Sequence, residues 1–460
     1  MKSYLKLGLA VALTFGLAGS ASADTLIDAL AAAYNNNPDL RAARAGLRAT
    51  DEGVVRAQAG FLPTVAGTAN FSSRDQKSFV GGTLSSDFTQ SPKSYQARID
   101  QNLFRGFQDV NARRQAKSLM YAGRSQLLVT EQTVLLNTVT AYMNAIRDVS
   151  VLNLNNNNVQ VLQRQLEASQ DRFRVGEITR TDVAQSEARL AGAISSRIRA
   201  EADLAGSRAG YRRVVGMSPG TLDQPPPLPP LPPNLDDATA IALQENPTVT
   251  GARETERAAN IAVSQSKGAL LPTVDGLASI SRNESKNFSP NVGNTVQFRS
   301  DIKSVGVQIR IPLYQGGAVY SDIRRAKHTR SQRRLEILSA ERFVVEQTRI
   351  TWEEYRAAQS SIISNSSQVK ANEIALDGTR QEAAVGSRTT LDVLDAEQEL
   401  LDSRVNLVRA ERNEYVAGFA MLGAVGRLNA KTLDLPVELY RPEKNYKGVR
   451  WQFVGWWTRD

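Results

Sequence analysis

The chain has 460 residues, with 56 lysines and arginines, 47 aspartates and glutamates, one histidine and no cysteine. The lack of cysteine excludes a disulfide framework and a thiol nucleophile, and the single His328 excludes a multi-histidine metal site. We therefore expect no cofactor and no enzyme, although paired carboxylates alone would permit glycoside hydrolysis. Arginines are interleaved with glutamates along predicted helices, which is typical of solvated faces and does not favour nucleic-acid binding.

The chain opens with the pattern of a secretory signal peptide. Lys2 and Lys6 precede an apolar run over residues 7–18, and an Ala-x-Ala site follows at Ala21 and Ala23. This order of basic, apolar and small residues predicts export, with cleavage after Ala23. No cysteine follows that site, so we expect no N-terminal lipid anchor.

The rest of the chain is an internal duplication. Four segments recur in the same order, with shifts of 209 or 210 residues, which is the signature of two structural copies. The predicted parts are a signal peptide (1–23), a first repeat (24–223), a linker (224–234), a second repeat (235–435) and a C-terminal tail (436–460). The recurring pairs are LIDALAAAYNNNPDL and LDDATAIALQENPTV, FLPTVAGTA and LLPTVDGLA, NLFRGFQDV and PLYQGGAVY, and FRVGEITRTDV and AAVGSRTTLDV.

Each repeat is predicted to contain a helix and then a pair of strands, at about residues 61–104 and 270–314. In TVAGTANFS, Val65, Gly67, Ala69 and Phe71 alternate with polar side chains. Segments of about ten residues suit tilted strands that cross an outer membrane, and polar segments join them as external loops would. The alternative is a soluble hairpin with one buried face.

The membrane interpretation has a structural consequence for assembly. No later segment approaches the roughly 20 apolar residues that a membrane-spanning helix needs, so spanning segments would have to be strands. Four strands cannot close a barrel, because barrels begin at about eight strands. This interpretation therefore predicts that several chains share one barrel.

A long helical hairpin follows the strands in each repeat. No proline occurs in residues 93–218 or 313–435, and apolar residues recur every seven positions, which is coiled-coil spacing. The first such helix would be roughly 100 Å long. We expect the two hairpins to turn at Gly176 and Gly386, because glycine suits the left-handed residue after a helix end. A Thr-x-x-Asp helix start follows each glycine.

The linker between the repeats reads QPPPLPPLPPN. Proline fixes φ and lacks a backbone N–H, so this segment predicts a stiff, extended connector. A proline-rich peptide ligand is the alternative interpretation.

Taken together, these segments resemble the TolC family of outer-membrane efflux proteins. The likeness covers the duplication, two Asn-Pro motifs, the Leu-Pro-Thr-Val strand entries, the VGSRTTLDVLDAEQEL tip and the GRLNAKTL segment. The resemblance implies a mixed fold, with a membrane β-barrel shared by a homotrimer and a long α-helical barrel through the periplasm. It also implies a passive exit duct for drugs or proteins. Its partners would be a periplasmic adaptor, an inner-membrane ABC or RND transporter and outer-membrane lipid. Because the chain lacks a cysteine for a lipid anchor, it resembles the unlipidated TolC branch of the family rather than the lipoprotein branch.

The resemblance also implies a gate at the hairpin tips. The carboxylates that ring the constriction fall on Asp392 and Asp395. The latch arginine falls on Arg388, and its partners on the neighbouring hairpin fall on Thr181 and Asp182. The family's latch tyrosine would fall at Ala383, so that hydrogen bond is absent.

Comparison of the two repeats separates a structural role from a gating role. Asp392 corresponds to Asp182, so a helix-start role accounts for both acids. Asp395 corresponds to Gln185, and Arg388 corresponds to Ile178. The second repeat thus carries charges that the fold of the first repeat does not need, which indicates an asymmetric gate.

Two further features remain open at this point. The exposed tips, with Val175 and Gly176 in one and Val385 and Gly386 in the other, are candidate adaptor contacts, although the glycines also serve to end helices. The tail ends in VRWQFVGWWTRD, which would pack either on the collar of the barrel or on a neighbouring subunit. A periplasmic coiled-coil adaptor or scaffold is the competing function, and it would need the helices without lipid-facing strands.

Overall fold

The computed structural model describes residues 25–289 and 293–457, and the predicted signal peptide lies outside the described residues. The chain divides into two compact units. Within the described residues, the hairpin unit combines residues 25–41 with Glu131–Leu235 and Arg349–Glu438. The sheet unit combines Ala42–Thr130, the described part of Asp236–Thr348 and residues 439–457. Among the described residues, no helix has the length and apolar character needed to cross a membrane.

Helices make up most of both repeats. The two longest, α3 and α7, have 67 residues each, and α4 and α8 return from the two tips. Long runs of Ala, Leu, Gln, Glu and Arg without proline account for their continuity. The bounds are α1 (Leu26–Asn36), α2 (Pro38–Gln58), α3 (Gln108–Arg174), α4 (Arg180–Val215), α5 (Leu235–Glu245), α6 (Pro247–Gly268), α7 (Ala318–Ala384), α8 (Thr390–Ala424) and α9 (Pro442–Val449), with a 3-10 turn at Ala59–Phe61.

The strands form one antiparallel sheet in the order β1-β3-β4-β5. At Thr89 and Gln90, β3 pairs with β4 on one side and with β2 on the other. Strands β1 and β2 therefore pair with the same side of β3, one after the other. The five strands thus occupy four positions across the sheet, the number that was predicted. The bounds are β1 (Thr64–Phe71), β2 (Arg74–Val80), β3 (Thr83–Arg105), β4 (Thr273–Ser289) and β5 (Asn294–Arg310).

The segment that joins the first strand pair differs from the sequence-based expectation. It was predicted to be a polar loop, but β2 and the first half of β3 form a hairpin there, with a register shift between Ser78 and Phe79. Gly81 and Gly82 both have positive φ, +55° and +81°, which is the conformation that the tightest hairpin turns require. Strand pairing therefore continues past the polar residues, and β3 reaches 23 residues.

The two faces of the sheet differ in polarity. Val65, Ile99, Ala278 and Val305 lie in register as one row across the four strand positions. The three larger members of this row are exposed, and all of β1 is exposed. The soluble alternative requires one buried face, but none of the strand residues whose burial is described is buried. The opposite face carries mainly polar side chains, among them Gln96, Arg98, Ser279, Ser281, Ser304 and Asn70.

A contact between two glycines joins the sheet to its helices. A Cβ atom on Gly106, after β3, would lie 2.2 Å from the carbonyl oxygen of Gly268, at the end of α6. A Cβ atom on Gly268 would lie 2.3 Å from the carbonyl oxygen of Gly106, whose φ is +57°. No other residue type fits this approach, so the contact fixes where the chain passes between helix and strand.

The Asn-Pro motif of the first repeat connects two helices of the hairpin unit. The Asn37 side chain accepts a hydrogen bond from the Asp39 N–H at 2.9 Å, so it caps the start of α2. Its amide also donates to the carbonyl of Val214 at 3.0 Å, near the end of α4. One buried asparagine thus sets both a helix start and a helix contact.

The linker lies against the long helices, and its predicted extended conformation stays a prediction. The Tyr142 hydroxyl donates to the carbonyl of Asp223 at 2.8 Å, and the Tyr415 hydroxyl donates to the carbonyl of Pro226 at 2.9 Å. A Cβ atom on Gly418 would lie 2.9 Å from the Leu228 side chain. Proline has no backbone N–H, so the carbonyl groups of this segment lack donors within the segment. The two tyrosine hydroxyls supply hydrogen bonds instead.

Candidate functional site at the helical hairpin tips

The two hairpins turn with the same backbone geometry. Gly176 and Gly386 have φ values of +82° and +81°, which is the left-handed conformation expected of a residue after a helix end. The residue after each glycine donates its N–H back to the helix, from Glu177 to the carbonyl of Arg172 at 2.9 Å and from Ser387 to that of Glu382 at 3.0 Å. The left-handed conformation of the two glycines therefore lets the next residue pair with a carbonyl group at the helix end.

The Thr-x-x-Asp motifs form helix starts at both tips. The N–H and hydroxyl of Thr389 both donate to the Asp392 carboxylate at 2.8 Å. The N–H and hydroxyl of Thr179 donate to the Asp182 carboxylate at 2.9 Å and 2.7 Å. These hydrogen bonds hold the pKa of each carboxyl below its usual range, because they favour the charged form.

Buried side chains fix the direction of the two predicted gate carboxylates. Val393 and Leu394, which separate Asp392 from Asp395, are buried. Val393 packs inside the second hairpin, against Leu376 and Leu400. Leu394 packs against Leu162 and Ala193 of the first hairpin. The two acids are three residues apart on α8 and therefore lie on one face of the helix.

The carboxylate of Asp395 has a partner that the sequence did not predict. The guanidinium of Arg189, on α4, forms a hydrogen-bonded ion pair with it. Gln185 stands in the first repeat where the second has Asp395, and Glu399 stands in the second repeat where the first has Arg189. A comparison of charge at matched positions of the two repeats marks Arg189 and Asp395 as differences, but it does not show that they meet.

The predicted latch residues are engaged within their own hairpins. Arg388 donates from Nε to Glu382 at 2.9 Å, and this hydrogen bond raises the pKa of its guanidinium. Asp182 accepts from Thr179, and Thr181 is exposed at the start of α4. A contact of Arg388 with Thr181 and Asp182 of another hairpin therefore stays a prediction.

Each tip has an ion pair that connects its loop to its first helix. In the first tip, Arg172 donates to Glu177 at 2.9 Å. In the second, Arg388 donates to Glu382 at the same distance, so the acid and the base have exchanged places. We call these two pairs the tip straps. They give Arg388 a structural role within its own hairpin.

The position that corresponds to the family's latch tyrosine is filled by a small side chain. Ala383 is half-buried and packs on the cluster that contains Leu376, Val393 and Leu400. Alanine has no hydroxyl group, so it contributes packing alone at this position.

The outermost residues of both tips are free to meet another molecule. Val175 is 74% exposed and Val385 is 81% exposed. Exposed apolar side chains at both turns, beside two glycines, provide a small apolar surface on each tip.

Comparisons with known proteins agree with this architecture. The family model described as outer membrane efflux protein matches residues 29–217 and again residues 239–427. The chain is 35% identical over 441 residues to the outer membrane efflux protein BepC of Brucella suis, which covers 96% of this chain and 94% of that protein. It is 25% identical over 448 residues to the outer membrane protein TolC of Escherichia coli, with 94% and 88% coverage.

Solved structures show the same fold. The outer membrane protein VceC of Vibrio cholerae superposes with a TM-score of 0.72 at 19% identity, over 87% of this chain and 96% of that chain. The two matched ranges of the family model, one for each repeat, confirm the predicted duplication. Together these likenesses confirm the predicted fold class.

Proposed function

The chain belongs to the outer membrane efflux protein family, and on that premise we propose that it works as a homotrimer with a charged gate at its hairpin tips. Members of this family are outer-membrane channels rather than enzymes. The protein is an outer-membrane exit duct for efflux or type I secretion, with a periplasmic helical tunnel. The remaining points concern its assembly, its gate and its partners.

The unburied sheet is the observation that carries the assembly. Strands β1 and β5 lie at its two edges, and four strand positions are too few to close a barrel. Open edges are not tolerated in lipid, because no water is present there to satisfy the backbone groups. Three chains that pair edge to edge would remove those edges and turn the exposed row of Val65, Ile99 and Val305 towards lipid.

The gate that we propose is a ring of carboxylates. In a trimer, Asp392 and Asp395 from three subunits would surround one narrow axis. Crowded carboxylates attract cations, so the constriction would be cation-selective. The buried neighbours Val393 and Leu394 support this role, since they hold both acids on one face of α8.

The latch would hold the tips together in the resting state. Arg388 would contact Thr181 and Asp182 on the neighbouring hairpin, in exchange for its strap to Glu382. A periplasmic adaptor that binds the tips preferentially in the open state would shift this balance. The exposed Val175, Gly176, Val385 and Gly386 are the contact residues that we propose for it. An inner-membrane ABC or RND transporter would supply the energy, and the cargo would be drugs or proteins.

Membrane fractionation tests the proposed assembly directly. The mature protein should sediment with the outer membrane and migrate as a trimer that heating converts to a monomer. A soluble periplasmic species would instead support the coiled-coil adaptor or scaffold. Co-purification with the cognate inner-membrane pump would then identify the transporter.

A further inference from the structure

The C-terminal tail follows helix α2 within the sheet unit. The Arg44 guanidinium lies over the Tyr440 ring, 5.2 Å from its centroid. Further along both segments, the Asn445 amide donates to the Asp51 carboxylate at 2.7 Å. The partners of the tail thus advance along α2 in the same direction as the tail itself.

The end of the tail also lines a cavity at the point where α2 is followed by the sheet. Gln452 and Phe453 line a cavity of about 650 Å³ together with Leu62, Pro63 and Thr64. Thr64 is the first residue of β1, and the next residue, Val65, begins the exposed apolar row. The tail therefore comes close to the start of β1, where the exposed apolar row of the sheet begins.

A hydrogen bond to a buried aspartate anchors the first half of this tail. Asp51 is buried, and burial raises the pKa of its carboxyl, while the hydrogen bond from Asn445 lowers it. Glu443 at the start of α9 pairs with Arg124 of α3 at 3.0 Å. The tail is thus held by specific polar contacts along its first half.

The second half of the tail has a different character. Trp451, Trp456 and Trp457 are 64%, 89% and 74% exposed. The chain has four tryptophans in all, so three of them are concentrated in seven residues. The Arg450 guanidinium lies 5.6 Å from the centre of the Trp451 ring. The exposed Arg450 begins this half, and three further exposed basic side chains, Arg441, Lys444 and Lys447, precede it in the first half of the tail.

Tryptophan and basic side chains in this combination suit a membrane surface. The indole ring is apolar but carries an N–H donor, so it prefers the boundary between hydrocarbon and water. Lysine and arginine are attracted to the phosphates of anionic lipids. Trp451, Trp456 and Trp457 follow or precede Phe453 by only two to four residues, so they lie within roughly 15 Å of Phe453, which lines the same cavity as the base of β1.

We propose that residues 450–457 form an interfacial anchor, whose tryptophans lie among the lipid headgroups on the periplasmic side of the outer membrane. This inference rests on the proposed placement of the sheet in the membrane. The apolar row that starts at Val65 would meet the acyl chains, and the tail would cover the boundary below it. The anchor would fix the depth of each subunit in the bilayer.

Tryptophan fluorescence in lipid vesicles tests the anchor. The full mature chain with Trp352→Phe has tryptophans only in the tail. This variant is reconstituted into vesicles of phosphatidylethanolamine and phosphatidylglycerol, with increasing amounts of a phosphatidylcholine brominated on its acyl chains near the headgroup. The matched control carries Trp451→Ser, Trp456→Ser and Trp457→Ser and keeps Trp352.

The anchor predicts a loss of tail fluorescence that grows with the brominated fraction and exceeds the loss from the control. Tail fluorescence that is quenched no more than Trp352 overturns it. Blue-shifted but unquenched tail emission also overturns it, because the tryptophans are then buried against a neighbouring subunit. The same samples are checked for the heat-modifiable trimer. If the trimer is present without quenching, the anchor alone fails; if no trimer forms, the proposed assembly fails and the anchor with it.

Discussion

Arg189 on the first hairpin forms an ion pair with Asp395 on the second hairpin of the same chain. The pair joins two positions at which the repeats differ, since Gln185 and Glu399 occupy the matching sites. One of the two predicted gate carboxylates is therefore already compensated by a positive charge within its own subunit. This relationship makes the two aspartates unequal.

Arg189→Gln should make the channel more cation-selective, because it leaves the Asp395 carboxylate without its positive partner. The reversal potential of single channels in a KCl gradient measures this change. Arg199→Gln is a matched control, since Arg199 is exposed on the same helix. If Arg189→Gln and wild type have the same reversal potential, Arg189 does not tune the gate.

Arg388→Ala should raise the resting conductance if Arg388 latches neighbouring hairpins. Glu382→Gln separates this role from the tip strap, because it removes the strap and leaves Arg388 available to Asp182. The latch account predicts a leaky channel for Arg388→Ala and a closed channel for Glu382→Gln. Equal leakage from both variants would show that the strap alone matters.

Acid should loosen both tips. Asp182 and Asp392 have depressed pKa values, so their caps stabilise the folded tips above the ordinary aspartate pKa of about 3.9. That contribution is lost as the pH falls through the lower, folded-state values. A spin label on Val385→Cys, in a chain without other cysteines, should become more mobile as the pH falls below the ordinary aspartate pKa of about 3.9. In an Asp392→Asn background, that pH-dependent step should largely disappear.

Gly268→Ala should destabilise the sheet unit, by about 1–3 kcal/mol, because its Cβ would collide with the Gly106 carbonyl oxygen. Gly53→Ala on α2 is the control, since a Cβ atom there meets nothing within 4 Å. It should be neutral or stabilising by about 0.5–1 kcal/mol. Thermal unfolding of the two variants distinguishes these outcomes, and equal melting temperatures would contradict a tight glycine contact.

The sequence predicted those features that depend on local pattern. Glycine followed by Thr-x-x-Asp predicted both tips, because helix ends are set by a few neighbouring residues. Alternation predicted four strand positions. The continuation of strand pairing through Gly81 and Gly82 was missed, because the polar side chains beside the turn resemble those of a loop.

Contacts between distant segments were beyond the reach of the sequence pattern. The pairing of Arg189 with Asp395 depends on how α4 lies against α8, which neither helix specifies alone. The approach of Gly106 to Gly268 likewise joins positions far apart in the chain. The roles of Asp392, Asp395 and Arg388 in a trimer stay predictions, since each concerns neighbouring subunits.

The carboxylate ring at the tips is the central claim, and the reversal potential of single channels in a KCl gradient tests it most directly. Wild type should favour cations, and Asp392→Asn/Asp395→Asn should lose most of that preference. Asp203→Asn removes an exposed carboxylate on α4 that belongs to neither the ring nor the latch, so it should keep the wild-type selectivity. An unchanged reversal potential in the double variant would contradict the claim that these two aspartates form the gate.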